Sequence, residues 1–270
     1  MNTPTLYIEG PAFWAPTLPG WDVARAAFRG EGAAAEPPSR RPAPQVLAPA
    51  ERRRAPDSVA IALEVAAAAV AGAGRNAADL PCVFASAHGD LAINDYMSST
   101  LVEHPTQLSP IKFHNSVHNA AVGYWTIGTG CMAASNSLTA FECTFAAGLL
   151  EAATQCAADL QAVLLAGFDV QAVGPLASVA RSDGMLAGAM VIAPEAGAHS
   201  VAAFDWTLAH AAHPAPALQS EAARAVSGNA MADALPVFEA LARAQPCTLH
   251  LPLSARLALQ LTLRPLTPDR

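Results

Sequence analysis

The stretch from Ser109 to Glu151 reads SPIKFHNSVHNAAVGYWTIGTGCMAASNSLTAFECTFAAGLLE. It combines a polar cluster, an aromatic pair, a run of small residues and an apolar helical pattern. The small residues predict a turn over Gly123–Gly130, a strand remnant at Cys131–Ala134 and a buried helix over Leu138–Ala158. Acyl-transfer folds often present a nucleophile at a helix N-terminus in this way. The first question for this chain is therefore whether a nucleophile is present there.

The segments on either side of this stretch alternate between strand and helix patterns, which is typical of an α/β fold. Upstream, we predict a strand at Thr5–Glu9, a loop over Pro11–Gly20, a helix at Trp21–Phe28, a helix at Val59–Ala73 capped by Asp57 or Ser58, a strand at Leu80–Ser86 and a helix at Ile93–Glu103. Downstream, we predict strands at Ala162–Ala166, Leu186–Ala193 and Val201–Leu208, a helix at Asn229–Ala244, and a hairpin of Cys247–Pro252 with Ala255–Leu263.

The composition excludes several classes of function. The net charge of −7 disfavours nucleic acid and anionic membranes as partners. No uninterrupted apolar run has the length of a membrane span, and the N-terminus lacks a signal-peptide pattern. The five scattered cysteines fit buried, reduced thiols of a cytoplasmic protein, and no cysteine or histidine cluster indicates a metal site. We therefore expect neither a metal nor a cofactor.

The chain is 53% hydrophobic and only 14% charged, so it can bury a large core but has few charges to cover it. This balance leaves room for a buried partner interface, although alanine also inflates the apolar count. Residues 30–50 are rich in Pro, Ala and Arg and predict an extended surface excursion. The Arg52–Arg54 run fits either a solvated charged surface or a site that attracts an acidic carrier or partner.

His88 and Asp90 follow the predicted strand at Leu80–Ser86. Sites in open α/β sheets lie at the carboxyl ends of the strands, so both residues are candidates for function. A structural role for them is the competing interpretation.

Residues from about 52 to 194 resemble the N-terminal half of a β-ketoacyl synthase, a member of the thiolase-fold family. The similar pieces are, in order, the RRR run with its following helix, SPIKFHNSVHNAAVGYWTIGTG, FAAGLLEAA, VLLAGFD and SDGMLAGAMVIAP. Among such proteins, the chain looks closest to chain-length-factor-type subunits of aryl polyene clusters. The resemblance implies a layered thiolase-like half with a mixed five-stranded sheet, over residues 1–194. We expect residues 195–270 to form a variant C-terminal α+β extension of the same domain, truncated relative to full ketosynthases.

The chain departs from this family where the family's chemistry resides. Ketosynthases carry a cysteine at the N-terminus of the helix that contains FAAGLLEA, and counting back from that motif places the position at Asn136, with Ser135 and Ser137 beside it. Cys131 falls too early and Cys143 two turns too late. The family's histidine and lysine segments do not follow Pro194. The resemblance therefore implies no catalytic residue in this chain.

Three hypotheses for function remain open. The first is a non-catalytic subunit that pairs with an active β-ketoacyl synthase, with an acyl carrier protein as a further expected partner. The second is an acyltransferase or hydrolase that uses a serine near Ser135, with His88, His114 or His118 as its base. The third is a homodimeric acyl-binding protein. For the first hypothesis we expect a partner interface built from the polar cluster and the aromatic pair: His114, Asn115, Ser116, His118, Asn119, Tyr124 and Trp125.

Overall fold

The computed structural model describes residues 3–210 and 213–266, so the last four residues of the predicted C-terminal extension lie outside it. The strands are β1 (Leu6–Ala15), β2 (Leu18–Pro19), β3 (Cys82–Ala85), β4 (Ser135–Leu138), β5 (Val163–Asp169), β6 (Leu186–Ala193), β7 (Ser200–Ala209), β8 (Cys247–Ser254) and β9 (Leu257–Pro265). The helices are α1 (Trp21–Arg29), α2 (Pro49–Arg54), α3 (Asp57–Gly72), α4 (Leu91–Glu103), α5 (Pro110–His114), α6 (Ala120–Thr129), α7 (Thr144–Asp159), α8 (Glu221–Ala225) and α9 (Leu235–Arg243).

Within these residues the strands form one mixed sheet in the order β4-β3-β5-β6-β1-β7-β9-β8, with β2 paired to β1. The first three strands run parallel, β6 pairs antiparallel with β5, and β1 pairs antiparallel with β6, so that β1 again runs in the direction of the first three. Together these five form the mixed five-stranded unit that the resemblance implies. Strands β7, β9 and β8 then extend the same sheet beyond β1.

Helices cover both faces of the sheet. Helices α3 and α6 pack on one face, and α1, α7 and α9 pack on the other. Helix α7 contacts β3 and β5 near one end of the sheet and β8 at the other. Because both ends of the sheet touch one helix, the sheet curls around α7. Leu259, Leu261 and Leu263 of β9 face this interior, as their alternation predicts.

Strand β1 continues to Ala15 and so covers the first half of the segment that we predicted as the loop Pro11–Gly20. The pairing register with β6 shifts between Glu9 and Ala12, so Gly10 and Pro11 lie in a bulge where proline costs no ladder hydrogen bond. Gly10 has a φ of 52°, and a Cβ atom there would lie 2.2 Å from the Ala69 carbonyl oxygen of α3. Glycine thus permits both the bulge and the close contact between β1 and α3.

The predicted cap of the helix after residue 56 is wrong, because α3 begins after Pro56 without a side-chain cap. The predicted turn over Gly123–Gly130 is also wrong. Helix α6 runs through it, and only Gly130 adopts the left-handed conformation that ends a helix. Inside the helix, Gly128 lets the 30–50 segment approach, since a Cβ atom there would lie 2.9 Å from the Val46 carbonyl oxygen.

The strand and helix that follow are displaced from their predicted positions. Strand β4 comprises Ser135–Leu138 rather than Cys131–Ala134, and α7 begins at Thr144 rather than at Leu138. The run Ser135-Asn136-Ser137 has the composition of a helix cap, but its backbone pairs in parallel with β3. This correction changes the location of the helix N-terminus and with it the candidate site.

Candidate functional site

The carboxyl ends of β3, β4 and β5 lie side by side and are organised by Asp169. Its buried carboxylate accepts hydrogen bonds from the Ser86 hydroxyl at 2.8 Å and from the backbone N–H groups of Ala87 at 2.8 Å and His88 at 3.2 Å. Burial raises the pKa of Asp169, while these donors act in the opposite direction. The carboxylate therefore holds the 86–90 loop in place. We did not select Asp169 from the sequence, although it lies three residues after the predicted buried strand Ala162–Ala166.

His88 and Asp90 have structural roles in this loop. The backbone N–H of His88 is held by Asp169, and its ring lies edge-on to Phe141 with centroids 6.1 Å apart. Asp90 is the N-cap of α4 and accepts from the Ile93 N–H at 3.0 Å, while its other oxygen accepts from the Ser58 hydroxyl at 2.8 Å. A structural role therefore accounts for the contacts of both His88 and Asp90.

The serines at the position where the family resemblance implies a nucleophile are not hydrogen-bonded to a base among the described residues. In the described part of the chain, the histidine ring hydrogen bonds are those of His118 with the Ser86 carbonyl and of His250 with Gln260. Asn136 donates to Glu151 on α7, and the Ser137 hydroxyl is buried without a partner. The serine-nucleophile hypothesis therefore lacks the adjacent base that serine chemistry requires.

The turn before α7 consists of Phe141, Glu142 and Cys143, not of the Ser135–Ser137 run. Phe141 has a φ of 54° and an exposed side chain, and Cys143 is the N-cap residue of α7. Our placement of Cys143 two turns inside the helix was wrong. Burial, Asp233 and Glu142 all raise the pKa of the Cys143 thiol, opposite to what a reactive cysteine requires.

Strand β4 is one edge of the sheet. The carbonyl oxygens of Ala134 and Leu138 accept from the N–H groups of Cys82 and Ser86 on β3. Because backbone groups alternate in direction along a strand, those of Ser135 and Ser137 point away from β3. We call these outward groups the open edge of β4. Within the described residues no strand pairs with this edge.

Exposed apolar side chains surround the open edge and the neighbouring helices α5 and α6. Ile127 is 78% exposed and Met132 is 95% exposed, and Phe113 and Phe141 are each more than half exposed. A groove of about 750 Å³ runs between α5 and α6 and is lined in part by Ile111, Phe113, Val117, Tyr124 and Ile127. Such a cluster is unusual for a free surface and typical of a binding surface.

Only some of the partner-interface residues that we predicted from the sequence are exposed in the structure. His114, Asn119 and Tyr124 line the groove, and Ser116 is partly exposed beside it. Asn115 and Trp125 are only 4% and 1% exposed, so their assignment to a partner surface is wrong. Trp125 lies on the inner side of α6 against Phe84, and His118 anchors the 86–90 loop through the Ser86 carbonyl at 2.8 Å.

Two absences concern the described residues alone. None of their helices is both long and apolar enough to cross a membrane. Their His, Cys, Asp and Glu side chains form no group of three that could hold a metal ion.

Comparison with solved structures shows which known proteins share this fold. A chain of the complex of the ketosynthase ApeO with its chain length factor ApeC, from Xenorhabdus doucetiae, aligns with a TM-score of 0.71 and 22% identity over 96% of this chain and 99% of that one. A chain of the AntDE:AntF complex, a type II polyketide synthase acyl-carrier protein with its ketosynthase bound to the hexaketide, aligns with a TM-score of 0.74 and 9% identity over 98% of this chain and 100% of that one.

This chain spans less than half of one further ketosynthase chain that shares the fold. Ketosynthase twelve of the bacillaene polyketide synthase from Bacillus amyloliquefaciens aligns with a TM-score of 0.58 and 13% identity over 76% of this chain but only 45% of that one. Among curated proteins, the sequence has no significant match. The family profile of the β-ketoacyl synthase N-terminal domain matches residues 27–256. The chain therefore belongs to the β-ketoacyl synthase N-terminal domain family.

Proposed function

We propose that this protein is a non-catalytic, chain-length-factor-type subunit that pairs with an active β-ketoacyl synthase in aryl polyene or related polyketide biosynthesis. The open edge of β4, flanked by exposed apolar side chains, is the observation that carries this proposal. The partner adds a strand to the sheet at Ser135 and Ser137, and Ile127, Met132 and Phe141 become buried against it.

The contrast between the two edges of the sheet supports pairing at β4. Strand β8, at the opposite edge, contains Pro252, which blocks strand addition as protected edges often do. Strand β4 contains neither proline nor a charged residue. An unprotected edge beside apolar side chains is a liability in a free chain, so a partner that covers it stabilises the protein.

The groups at the start of α7 and around the 86–90 loop support the non-catalytic role. The turn before α7 offers Phe141 in the left-handed conformation and a thiol with a raised pKa. The Asp169 carboxylate and the His118 ring both contact the 86–90 loop and hold it in place. The condensing chemistry then resides in the partner, and this subunit contributes a surface against which the partner's growing chain lies.

A second candidate function, acyl binding by a homodimer, has one observation in its favour. A cavity of about 600 Å³ near the N-terminus of α4 is lined in part by apolar side chains, among them Ile93, Ile111, Val170 and Met185. A cavity of this size could hold an acyl chain. This function needs no ketosynthase, and the same open edge would then pair two copies of the chain.

Reconstitution separates these functions from an enzymatic role. The chain and a candidate partner ketosynthase are assayed alone and together for condensation with acyl carrier thioesters. We expect condensation from the mixture and none from this chain alone. Acyl transfer to this chain in the absence of the ketosynthase, abolished by Ser135→Ala, would contradict the proposal. A stable homodimer that never binds the ketosynthase would favour the second candidate.

Two exposed arginines of α2 provide a prediction for the acyl carrier protein. Arg53 and Arg54 take part in none of the ion pairs found among residues 3–210 and 213–266, and Arg54 lies between the 600 Å³ cavity and the α5–α6 groove. These two positive charges attract an acidic carrier, and reversing both to Glu removes that attraction. We expect about tenfold weaker carrier binding, with a smaller salt dependence.

The control for this prediction is Arg256→Glu in the exposed β8–β9 turn. This variant also reverses a positive charge, but near the sheet edge opposite β4. Binding is measured by titrating the assembled complex with the carrier at low and high salt. Equal affinities for the Arg53/Arg54 variant and the control would show that α2 is only a solvated charged surface.

A further inference from the structure

The N-terminus of α7 already holds an anion, which comes from the chain itself. One oxygen of Asp233, Oδ2, accepts hydrogen bonds from the backbone N–H groups of Phe145 at 2.8 Å and Ala146 at 3.1 Å. These are two of the N–H groups that a helix leaves without intrahelical partners at its start. A helix of 16 residues also favours negative charge at this end.

Asp233 is placed there by a long-range network rather than by local chain geometry. It lies 87 and 88 residues beyond the two groups that it caps. Asn229 fixes the preceding turn because its amide donates to the carbonyl oxygens of Asp169 and Asp183, and its own oxygen accepts from the Met231 N–H. Helix α9 begins two residues after Asp233, at Leu235. The segment is therefore held at both ends.

Apart from the Phe145 and Ala146 N–H groups, the surroundings of Asp233 disfavour a charged carboxylate. Its second oxygen, Oδ1, is buried without a hydrogen-bond partner. Burial raises the pKa of Asp233 to about 7, and the neighbouring Asp169 adds to this, while the Ala146 and Phe145 N–H groups act in the opposite direction. Glu142 lines the same small cavity as Asp233, and the Cys143 thiol responds to both carboxylates.

We infer that the Asp233 carboxylate acts as an internal anion that occupies the N-terminus of α7 and thereby keeps the Phe141–Cys143 turn unreactive. A helix N-terminus ordinarily lowers the pKa of a cysteine beside it and can stabilise an oxyanion. Here the two N–H groups are already used, and the carboxylate opposes a negative charge on Cys143. This inference goes beyond the proposed function, because it assigns a role to residues 229–234 that does not depend on any partner.

The test is the reactivity of Cys143 in the full-length chain. Asp233→Asn keeps the shape of the side chain and removes its charge, so the thiolate of Cys143 becomes easier to form. We expect iodoacetamide to modify Cys143 roughly three- to tenfold faster at about pH 8, measured site by site by mass spectrometry. Asp159→Asn, at the C-terminal end of α7, makes the same charge change far from the turn and should leave the rate unaltered.

Two cysteines report whether the variant remains folded. Cys82 and Cys156 are fully buried, and burial raises the pKa of each to about 12, so they react only if the fold opens. In Asp233→Ala, added formate should reoccupy the helix N-terminus and slow Cys143 modification, whereas chloride at the same ionic strength should not. An unchanged Cys143 rate in the folded Asp233→Asn variant, or equal effects of formate and chloride, would overturn the inference.

The wild-type chain provides a measurement that needs no variant. If Asp233 binds the Phe145 and Ala146 N–H groups, the amide proton shifts of these two residues should titrate together near neutral pH, while that of Leu149 stays constant. Flat titration curves at both amides would overturn the inference even if every variant unfolded.

Discussion

Replacing Ser137 with proline is expected to weaken binding of the ketosynthase partner by about 10- to 100-fold. The Ser137 N–H points along the open edge of β4, away from β3, so proline removes a donor to the partner while leaving the β3 ladder intact. A carbonyl group of the partner then loses its hydrogen bond inside the interface, which costs about 1–3 kcal/mol. Binding is measured by titrating the tagged ketosynthase with the purified chain.

Ser137→Ala is the matched control for this experiment. It removes the hydroxyl, which has no hydrogen-bond partner, but keeps the outward N–H. The control should bind like the wild-type chain. If the proline variant keeps full affinity and its melting temperature is unchanged, the partner does not pair at β4, and the proposed mode of assembly is wrong.

Replacing Trp125 with alanine is expected to destabilise the free chain by about 3–5 kcal/mol. The side chain is 1% exposed and packs between α6 and the sheet, with its ring centroid 6.3 Å from that of Phe84. Truncation would leave a large cavity in the α3-side core. The free energy of unfolding is measured by urea denaturation of the isolated chain.

Asn119→Ala is the control for Trp125→Ala, because it truncates a nearby side chain that is exposed instead of buried. Asn119 is exposed and lines the α5–α6 groove, so its truncation should change the free energy of unfolding by no more than about 0.5 kcal/mol. A partner-surface role for Trp125 would be restored if Trp125→Ala left the isolated chain as stable as Asn119→Ala and weakened only the complex.

The buried elements could be predicted from the sequence because their local patterns agree with their surroundings. Strand β3 is a continuous apolar run, α3 is apolar on nearly all sides, and the β8–β9 hairpin alternates regularly. For such segments, hydrophobic periodicity and burial give the same answer. Their boundaries in the structure lie within a few residues of the predicted ones.

The candidate site could not be placed because its local signals conflict with its tertiary role. Ser135-Asn136-Ser137 is a good helix cap in isolation, yet its edge position in the sheet makes it a strand. That error displaced the start of α7 and misplaced Cys143. The contacts of Asp233 with α7 and of Asp169 with the 86–90 loop span about 80 residues or more, and no local pattern encodes them.

The side of α6 on which Tyr124 and Trp125 each lie could not be predicted for a related reason. A turn over Gly123–Gly130 would expose Tyr124 and Trp125 together. In helix α6, neighbouring residues are about 100° apart around the axis, so Trp125 points into the core while Tyr124 reaches the groove. The predicted interface residues therefore included two, Asn115 and Trp125, whose side chains are buried inside the free chain.

Hydrogen exchange at β4 tests the central claim most directly. In the free chain, the outward amides of Ser135 and Ser137 lack a strand partner and should exchange quickly. In the complex with the ketosynthase, the same amides should become strongly protected, while those of the Pro252-containing edge strand β8 should not change. A stable complex in which the amides of Ser135 and Ser137 exchange as fast as in the free chain would contradict pairing through this edge.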